Sequence, residues 1–321
     1  MEIRSYIPFP HFSFTRHDTH KRPVVVAVAR ATFSIRNGEV LRPTQEQKPV
    51  SAKDGYYGEA GASSLLRPSD LAISKPRSDV FINALAHAPD GKPAPMWLAE
   101  ARVGMLSQAL KVFGKRAWRF DTEKGWLITD PKPTVVVPLR YENAYGGSYE
   151  HGGETIAFPH NPLGSGYVVP EHLAQDRTYK AHQIEAPGFP VTEPGQVVMP
   201  AGFGPVYADW RIPRPDDSPY ASYNAAHPNM VYPGHLQGNE EVVLQNLTPD
   251  GRLDFRLPSY RMLVLVRYSD GGLLPAEMKL DTLAIDVPAM EVYATWRVVI
   301  AENVSVRVLE FRMEMDEAKS A

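Results

Sequence analysis

Proline and turn signals limit this chain to a fold with little helix. Its 321 residues include 30 prolines, and a proline inside a helix removes a backbone hydrogen bond. Asn37-Gly38, Asp90-Gly91, Asp250-Gly251 and Asp270-Gly271 each lie between apolar runs. Such dipeptides in that setting are typical of tight β-hairpins. The sequence therefore predicts a mainly β protein with few short helices.

The apolar runs between the turns predict antiparallel strands. Residues 24–29 are apolar on both faces, which predicts a central strand over residues 23–35, whereas residues 98–105 alternate and predict a half-buried strand. A hairpin around Gly114-Lys115 and a short helix near residues 63–66 are also predicted. Further strands are predicted at residues 80–86, 109–113, 117–120, 126–129, 134–137, 242–247, 253–257, 261–268, 273–278, 282–285, 292–300 and 304–311. This spacing favours sandwich-like or open-barrel lobes over a parallel α/β sheet.

A change in composition divides the chain into three parts. Residues 148–240 are rich in Pro, Gly and aromatic residues and have no clean period. Because disordered segments are poor in aromatic residues, this part is expected to be an ordered, irregular covering. It lies between an N-terminal β lobe, residues 1–147, and a C-terminal β lobe with a polar tail, residues 241–321. We expect the three parts to form one compact unit.

Charge and cysteine content argue against several classes of function. The net charge is -3 and the isoelectric point about 6.4, so no overall positive field attracts nucleic acid or an anionic membrane. The chain has no cysteine, which excludes disulfides, thiolate zinc sites and a thiol nucleophile. The N-terminus lacks the pattern of a secretion signal, and the early apolar run is too short to span a bilayer. We therefore expect a cytoplasmic protein without nucleic-acid or membrane partners.

Candidate catalytic and metal-binding groups are few. His11, His17 and His20 could together hold zinc, but their spacing matches no helix face, and a solvated N-terminal segment is favoured. The chain contains no Gly-x-Ser-x-Gly elbow, dinucleotide fingerprint or phosphate-binding loop. We expect no catalytic residue, no metal and no cofactor.

Residues 138–147, Pro-Leu-Arg-Tyr-Glu-Asn-Ala-Tyr-Gly-Gly, form the most distinctive stretch. Residues 161–166 and residues 200–205 share its mixture of Gly, Pro and apolar or aromatic residues, and the latter lead to Trp210. Such segments suit a fixed, irregular surface. Glu142 could act as a general acid or base beside a second carboxylate, of which the candidates are Asp281, Asp286, Glu240 and Glu241. The favoured alternative is structural: Arg140 or another Arg pairs with Glu142 and fixes the loop.

The aromatic residues of these segments have two interpretations. Packing in the core or in loops is favoured for Tyr141, Tyr145, Phe203 and Trp210. The alternative is a protein-binding surface, because Tyr and Trp often supply binding hot spots. On that alternative the candidate partner-binding residues are Arg140, Tyr141, Glu142, Tyr145, Asn161, Phe203 and Trp210.

A collinear set of short motifs resembles a known bacterial family. The motifs are residues 75–80 (Lys-Pro-Arg-Ser-Asp-Val), 102–104, 112–116 with Trp118, 138–147, 161–166, 200–205 with Trp210, 224–226 (Asn-Ala-Ala), 247–251, 257–258, 281–286 (Asp-Thr-Leu-Ala-Ile-Asp) and 296–297 (Trp-Arg). In this order they resemble the domain of unknown function 2169 family, which is linked to type VI secretion. The resemblance covers nearly the whole chain.

The resemblance implies an adaptor or chaperone rather than an enzyme. Proteins of this kind bind a toxic effector, often one with a spike-tip domain of the Pro-Ala-Ala-Arg (PAAR) type. They help to load it onto the trimeric valine–glycine-repeat (VgrG) spike before firing. The implied partners are therefore the effector and also the PAAR-type tip or the VgrG spike, and no catalytic residue is implied.

Two other functions remain open at the level of sequence. A carbohydrate-active enzyme or sugar-binding β protein would have a concave pocket with paired carboxylates. A structural component of the spike would form stable homotrimers. The sequence does not identify the effector or the oligomeric state.

Overall fold

The protein is mainly β, as the sequence predicts. The computed structural model describes residues 1–18, 20–206 and 224–315. The strands are β1 (Glu2–Ser5), β2 (His11–His17), β3 (Pro23–Ser34), β4 (Arg42–Pro43), β5 (Gly55–Tyr56), β6 (Leu65–Arg67), β7 (Asp79–Asn83), β8 (Leu85–His87), β9 (Met96–Val103), β10 (Leu106–Phe113), β11 (Ala117–Asp121), β12 (Gly125–Ile128), β13 (Val136–Pro138), β14 (Tyr145–Gly146), β15 (Ser148–His151), β16 (Glu154–Ala157), β17 (Ser165–Gly166), β18 (Tyr179–Lys180), β19 (Ile184–Glu185), β20 (Glu241–Gln245), β21 (Arg252–Arg256), β22 (Tyr260–Tyr268), β23 (Leu273–Glu277), β24 (Lys279–Asp286), β25 (Glu291–Ala301) and β26 (Val306–Met315). Single turns of 3-10 helix occur at Pro89–Gly91, Tyr141–Asn143, Pro170–His172 and Pro228–Met230.

Strand β3 is the centre of a six-stranded sheet. The order is β2-β3-β25-β24-β7, and β4 also pairs with β3. Antiparallel pairing joins β3 to β2 on one side and to β25 on the other. Residues 24–33 of β3 are all buried, which confirms the prediction of a central strand apolar on both faces.

Two further sheets pack around a common core. One has the order β19-β10-β9-β20-β21 and the other β1-β26-β22-β23. The alternating burial of β9 confirms the prediction of a half-buried strand. Ala29 of β3, Leu110 of β10 and Val264 of β22 belong to one hydrophobic cluster, so all three sheets contribute to it.

Two local predictions are wrong. Strand β10 pairs with β9 across Gly104, whereas β11 pairs with β12 and β18. Gly104 has a φ of +54°, which suits a tight turn, while the chain at Gly114 runs on and donates its N–H to Pro95 O at 3.0 Å. The helix predicted near residues 63–66 is replaced by β6. Ser63 instead closes a turn, because its Oγ donates to Glu59 O at 2.9 Å, a local bond that competes with helix.

The N-terminal and C-terminal parts of the chain share their sheets. Strand β3 pairs with β25, and β9 pairs with β20. Residues 1–147 and 241–315 are therefore hydrogen-bonded together rather than folded into separate sheets. The described residues between them contribute short strands of two to four residues, β15 to β19, and single 3-10 turns.

Candidate binding site at residues 138–147

Asn161 holds the turn that follows β13. The chain makes one turn of 3-10 helix at Tyr141–Asn143 and then enters β14. The side-chain Nδ2 of Asn161 donates to Tyr141 O at 2.8 Å and to Tyr145 O at 3.0 Å. Asn161 is fully buried, so it fixes both ends of the turn from inside the protein.

Glycines allow residues 138–147 and residues 161–166 to interlock. Strands β14 and β17 pair in parallel, with Gly146 opposite Gly166. Gly146 has a φ of +145°, and a Cβ there would lie 2.2 Å from Asn161 O. A Cβ at Gly164 would lie 2.3 Å from Asn161 Nδ2. No side chain fits at either position, which gives a physical reason for both glycine motifs.

The Tyr141 ring packs against the Gly-Phe-Gly segment at residues 202–204. A Cβ at Gly202 would lie 2.8 Å from Tyr141 Cε1, and Tyr141 Oη donates to Gly204 O at 3.2 Å. The Ile82 N–H donates to Phe203 O at 3.0 Å, which ties this segment to β7. The three distinctive segments of the sequence thus form one body.

Glu142 has a structural role. Its carboxylate accepts the backbone N–H of Ser64 at 2.8 Å and the Ser64 Oγ–H at 2.6 Å. The predicted pairing with an arginine is wrong for the described residues, where the partner of Glu142 is Ser64. Arg140 instead lies 4.2 Å over the ring of Tyr57.

The four carboxylates considered as partners of Glu142 are engaged elsewhere. Asp281 pairs with Arg297, and Asp286 accepts from Asn83 Nδ2 at 2.9 Å. Glu240 accepts the N–H of Gln237 at 2.7 Å, and Glu241 pairs with Arg102 at 3.3 Å. None of these contacts brings two carboxylates together at residues 138–147.

Tyr145 belongs to a second, smaller core. This core contains Trp118, Tyr145, Phe158, Ala181 and Val191. Tyr145 Oη donates to Gln196 O at 2.6 Å, and burial raises the pKa of its phenol above the usual range.

A buried charged cluster adjoins this second core. The Tyr145 ring meets His182 edge-on at 5.1 Å, and His182 Nε2 lies 2.6 Å from Glu185 Oε1. Burial lowers the pKa of His182, which favours the neutral imidazole. Burial acts to raise the pKa of Glu185, but its bond to His182 and the charge of Arg116 outweigh burial and lower it. This cluster therefore keeps Glu185 ionised inside the protein.

Most of the candidate partner-binding residues are buried. The exposed fractions are 3% for Tyr141, 2% for Tyr145 and 0% for Asn161 and Phe203. The favoured interpretation, packing in the core, is confirmed for Tyr141, Tyr145 and Phe203, because these rings complete the two cores. The alternative, a surface made by the rings of Tyr145 and Phe203, is wrong. Arg140 is exposed and Glu142 is half-buried, while Trp210 lies outside the described residues.

An apolar groove lies on the outer side of this body. Its volume is about 440 Å³, and it is lined mainly by Leu65, Tyr141, Pro162, Leu163, Pro205 and Val206. Leu65, Pro162 and Leu163 are half-buried, so part of each of these side chains reaches solvent. An apolar groove with a fixed floor is suited to receive apolar side chains.

A buried polar network lies beneath the main sheet's β7 edge. Lys75 Nζ contacts Asp79 Oδ2 at 2.7 Å and donates to Thr282 Oγ1 at 2.8 Å. Asp79 also accepts the N–H groups of Ala225 at 3.0 Å and Ala226 at 3.2 Å. Every charge in this set has a partner, so the network fixes residues 224–226 against β7 and β24.

The same network continues along β25. Arg297 Nε donates to Asp281 Oδ2 at 2.6 Å, and its Nη1 donates to Asp70 O at 2.6 Å. Arg30 in turn pairs with Asp70 at 2.8 Å. This common location was not predicted for the motifs at residues 75–80, 224–226, 281–286 and 296–297. The available signal was the occurrence of charged residues beside apolar strand runs.

A second cavity is lined mainly by residues of β22, β24 and β26. Its volume is about 490 Å³, and Met278, Leu280 and Trp296 form part of its wall. Two carboxylates line it, but Glu277 and Glu314 both pair with Arg261, at 3.8 Å and 3.1 Å.

The pKa of His227 predicts that the protein loses stability in acid. Burial lowers its pKa to about 4, from an ordinary value of 6.5. The unfolded chain therefore binds more protons at this residue between pH 6.5 and 4, so its contribution is complete above pH 6.5 and declines as the pH falls. Because Nδ1 of His227 accepts the Asn229 N–H at 3.2 Å, we expect His227→Asn to retain that acceptor. Urea unfolding should show a shallower decline for the variant over this range. An unchanged decline would contradict the assignment.

Within residues 1–18, 20–206 and 224–315, no group of three or more His, Asp or Glu residues is arranged to hold a metal ion. Within the same residues, no helix has the length and apolar character to cross a membrane.

Comparison with known proteins gives one match. No curated protein and no solved structure matches the chain. A family described as "Uncharacterized protein conserved in bacteria (DUF2169)" matches residues 20–297, which is most of the chain. The chain therefore belongs to DUF2169, a family of uncharacterized proteins conserved in bacteria.

Proposed function

We propose that the protein is a type VI secretion adaptor or chaperone. It binds a cognate effector in the cytoplasm, often one with a PAAR-type tip domain, and assists loading of the effector onto the VgrG spike. The link to type VI secretion comes from the resemblance of the motifs. The mode of action is binding of another polypeptide, without turnover of a substrate.

The apolar groove beside Tyr141 is the observation that supports polypeptide binding. Its floor is fixed by the hydrogen bonds of Asn161 and by the packing of Tyr141 against Gly202 and Gly204. The groove therefore loses little conformational freedom when a partner binds. The buried ring of Tyr141 gives the groove a rigid base. Apolar side chains of an effector segment would fill the groove and would thereby be removed from water.

A protein that binds an effector in this way would also act as a chaperone. A protein that binds only the loading-competent state of the effector stabilises that state by mass action. A contact of the usual size, about 800 Å² on each partner, is larger than the groove alone. The groove would therefore anchor a more extended contact.

We expect Leu163→Asp to release the effector. The substitution places a charge among apolar side chains that the partner would desolvate, which should weaken binding about 10-fold to 100-fold. The measurement is co-purification with the effector encoded beside this gene, followed by titration of the purified pair.

Leu274→Asp is the matched control. Leu274 is 43% exposed on β23 and lies outside the groove, so the same change there should leave effector binding intact. If Leu163→Asp folds normally and retains the effector at wild-type affinity, the groove is not the contact.

The cavity lined by β22, β24 and β26 favours a second candidate, a sugar-binding or carbohydrate-active protein. Its carboxylates, Glu277 and Glu314, and the aromatic wall at Trp296 are groups that sugar sites use. This candidate predicts glycan binding or turnover that Glu277→Gln reduces. A glycan array and a reducing-sugar assay on the pure protein would test it.

A further inference from the structure

The outer edge of β2 is a long row of backbone groups without strand partners. Pro10 O accepts the Arg30 N–H at 2.9 Å, which sets the alternation of the β2–β3 ladder. Phe12, Phe14 and Arg16 therefore direct their backbone groups toward β3. The N–H and C=O groups of His11, Ser13, Thr15 and His17 point away from the sheet.

The described part of the chain leaves this edge open. Within the described residues, the outward groups of β2 make one hydrogen bond, in which Arg16 Nη1 donates to Thr15 O at 3.2 Å. The β2–β3 register runs through seven pairs without a shift, and β2 contains no proline. It therefore lacks a proline or bulge, two of the devices that protect edge strands from pairing.

The other edges described here are protected or short. Strand β23 contains Pro275, which has no N–H to donate. Strand β21 is covered where Leu41 N–H donates to Arg256 O at 2.9 Å, and β7 is bridged from Asp79 to Val231. Strands β1 and β19 have four and two residues.

Aromatic side chains accompany the open edge. Phe12 and Phe14 lie opposite Val28 and Val26 on one face of the sheet, and their rings stack at 6.2 Å. Phe12 is 46% exposed. An added strand would place its alternate side chains beside these rings and bury them.

The charge at this edge is positive, although the whole chain has a net charge of -3. Arg22 is paired with Asp18 at 2.7 Å. Arg16 and Lys21 have no carboxylate partner among the ion pairs of the described residues. Acidic side chains on an added strand would satisfy both cations.

We propose that β2 accepts an acidic, extended segment of a partner protein as an additional strand of the main sheet. The inference rests on the proposed function, because the partner is the effector or spike component that the adaptor binds. Backbone hydrogen bonds to residues 11, 13, 15 and 17 supply affinity, while Phe12, Phe14 and Arg16 select the side chains.

The test uses a fluorescent, acetylated eight-residue peptide that alternates Glu and Val, and a second peptide with Lys in place of Glu. Fluorescence anisotropy should show saturable binding of the acidic peptide that weakens with salt, and at least about 10-fold weaker binding of the basic one. Thr15→Pro removes one outward N–H group, which makes no hydrogen bond to β3. This substitution should weaken binding of the acidic peptide about 10-fold. The matched control, Thr15→Val, keeps that N–H and should bind as the wild type does.

Arg16→Glu provides a second variant that does not alter the backbone. It should reverse the preference between the two peptides. Equal binding of both peptides by the wild type, or unchanged binding by both Thr15→Pro and Arg16→Glu, would overturn the proposal. A homodimer that Thr15→Pro dissolves would overturn it in favour of a second copy of this chain, and binding of single-stranded DNA but not of the acidic peptide would overturn it in favour of nucleic acid.

The same variants separate this inference from the proposed function. If Thr15→Pro and Arg16→Glu retain the effector while Leu163→Asp loses it, the adaptor function stands and the β2 edge is wrong. If the wild type binds no effector but binds the acidic peptide through β2, the adaptor function fails and the strand-accepting edge stands.

Discussion

Replacement of Gly146 by alanine is expected to destabilise the protein by about 4 kcal/mol or more. The added Cβ would lie 2.2 Å from Asn161 O, and the φ of +145° is a conformation that L-residues rarely adopt. Relief of the clash would require residues 138–147 and residues 161–166 to separate. Urea unfolding followed by tryptophan fluorescence would measure the loss of free energy.

Gly153→Ala is the matched control for this prediction. Gly153 also has a positive φ, +86°, but a Cβ there would meet nothing within 4 Å. We expect a cost of only about 1–2 kcal/mol, from the backbone conformation alone. Equal losses in the two variants would show that the two segments do not interlock as described.

The second large effect is expected from Asp79→Ala, at about 3–5 kcal/mol. The change leaves the ammonium of Lys75 buried without its carboxylate and removes the acceptor of the Ala225 and Ala226 N–H groups. Thermal and urea unfolding should both report the loss. Adding Lys75→Met to Asp79→Ala should recover part of it, because no buried charge then remains unpaired.

An exposed ion pair supplies the control for Asp79. Glu241 pairs with Arg102 at 3.3 Å, and both side chains are about half exposed. Removal of such a pair by Glu241→Ala should cost no more than about 1 kcal/mol. A similar cost for Asp79→Ala would mean that the buried network does not hold the sheet and residues 224–226 together.

Fold class could be predicted from sequence because its signals are local. The run of apolar residues in β3 and the alternation in β9 directly indicate burial on two faces and on one face. Strand partners could not be predicted in the same way. The hairpin expected at Gly114-Lys115 does not form, because both flanking strands pair with other strands, β10 with β9 and β11 with β12.

The candidate site was located in part from sequence. The distinctive segments do form one body, and the favoured packing of Tyr145 and Phe203 in the core is confirmed, but the residues they pack against could not be predicted. These partners lie far away in sequence, such as Gln196 for Tyr145. The contact of Lys75 with Thr282 likewise joins residues more than 200 positions apart, so no local signal relates their motifs.

Titration calorimetry with the effector encoded beside this gene would measure binding at the groove. We expect saturable binding of the pure protein to the effector, with affinity lowered by Leu163→Asp and unchanged by Leu274→Asp. Absence of saturable binding, or equal affinity for the wild type and Leu163→Asp, would contradict the claim that this groove holds another polypeptide.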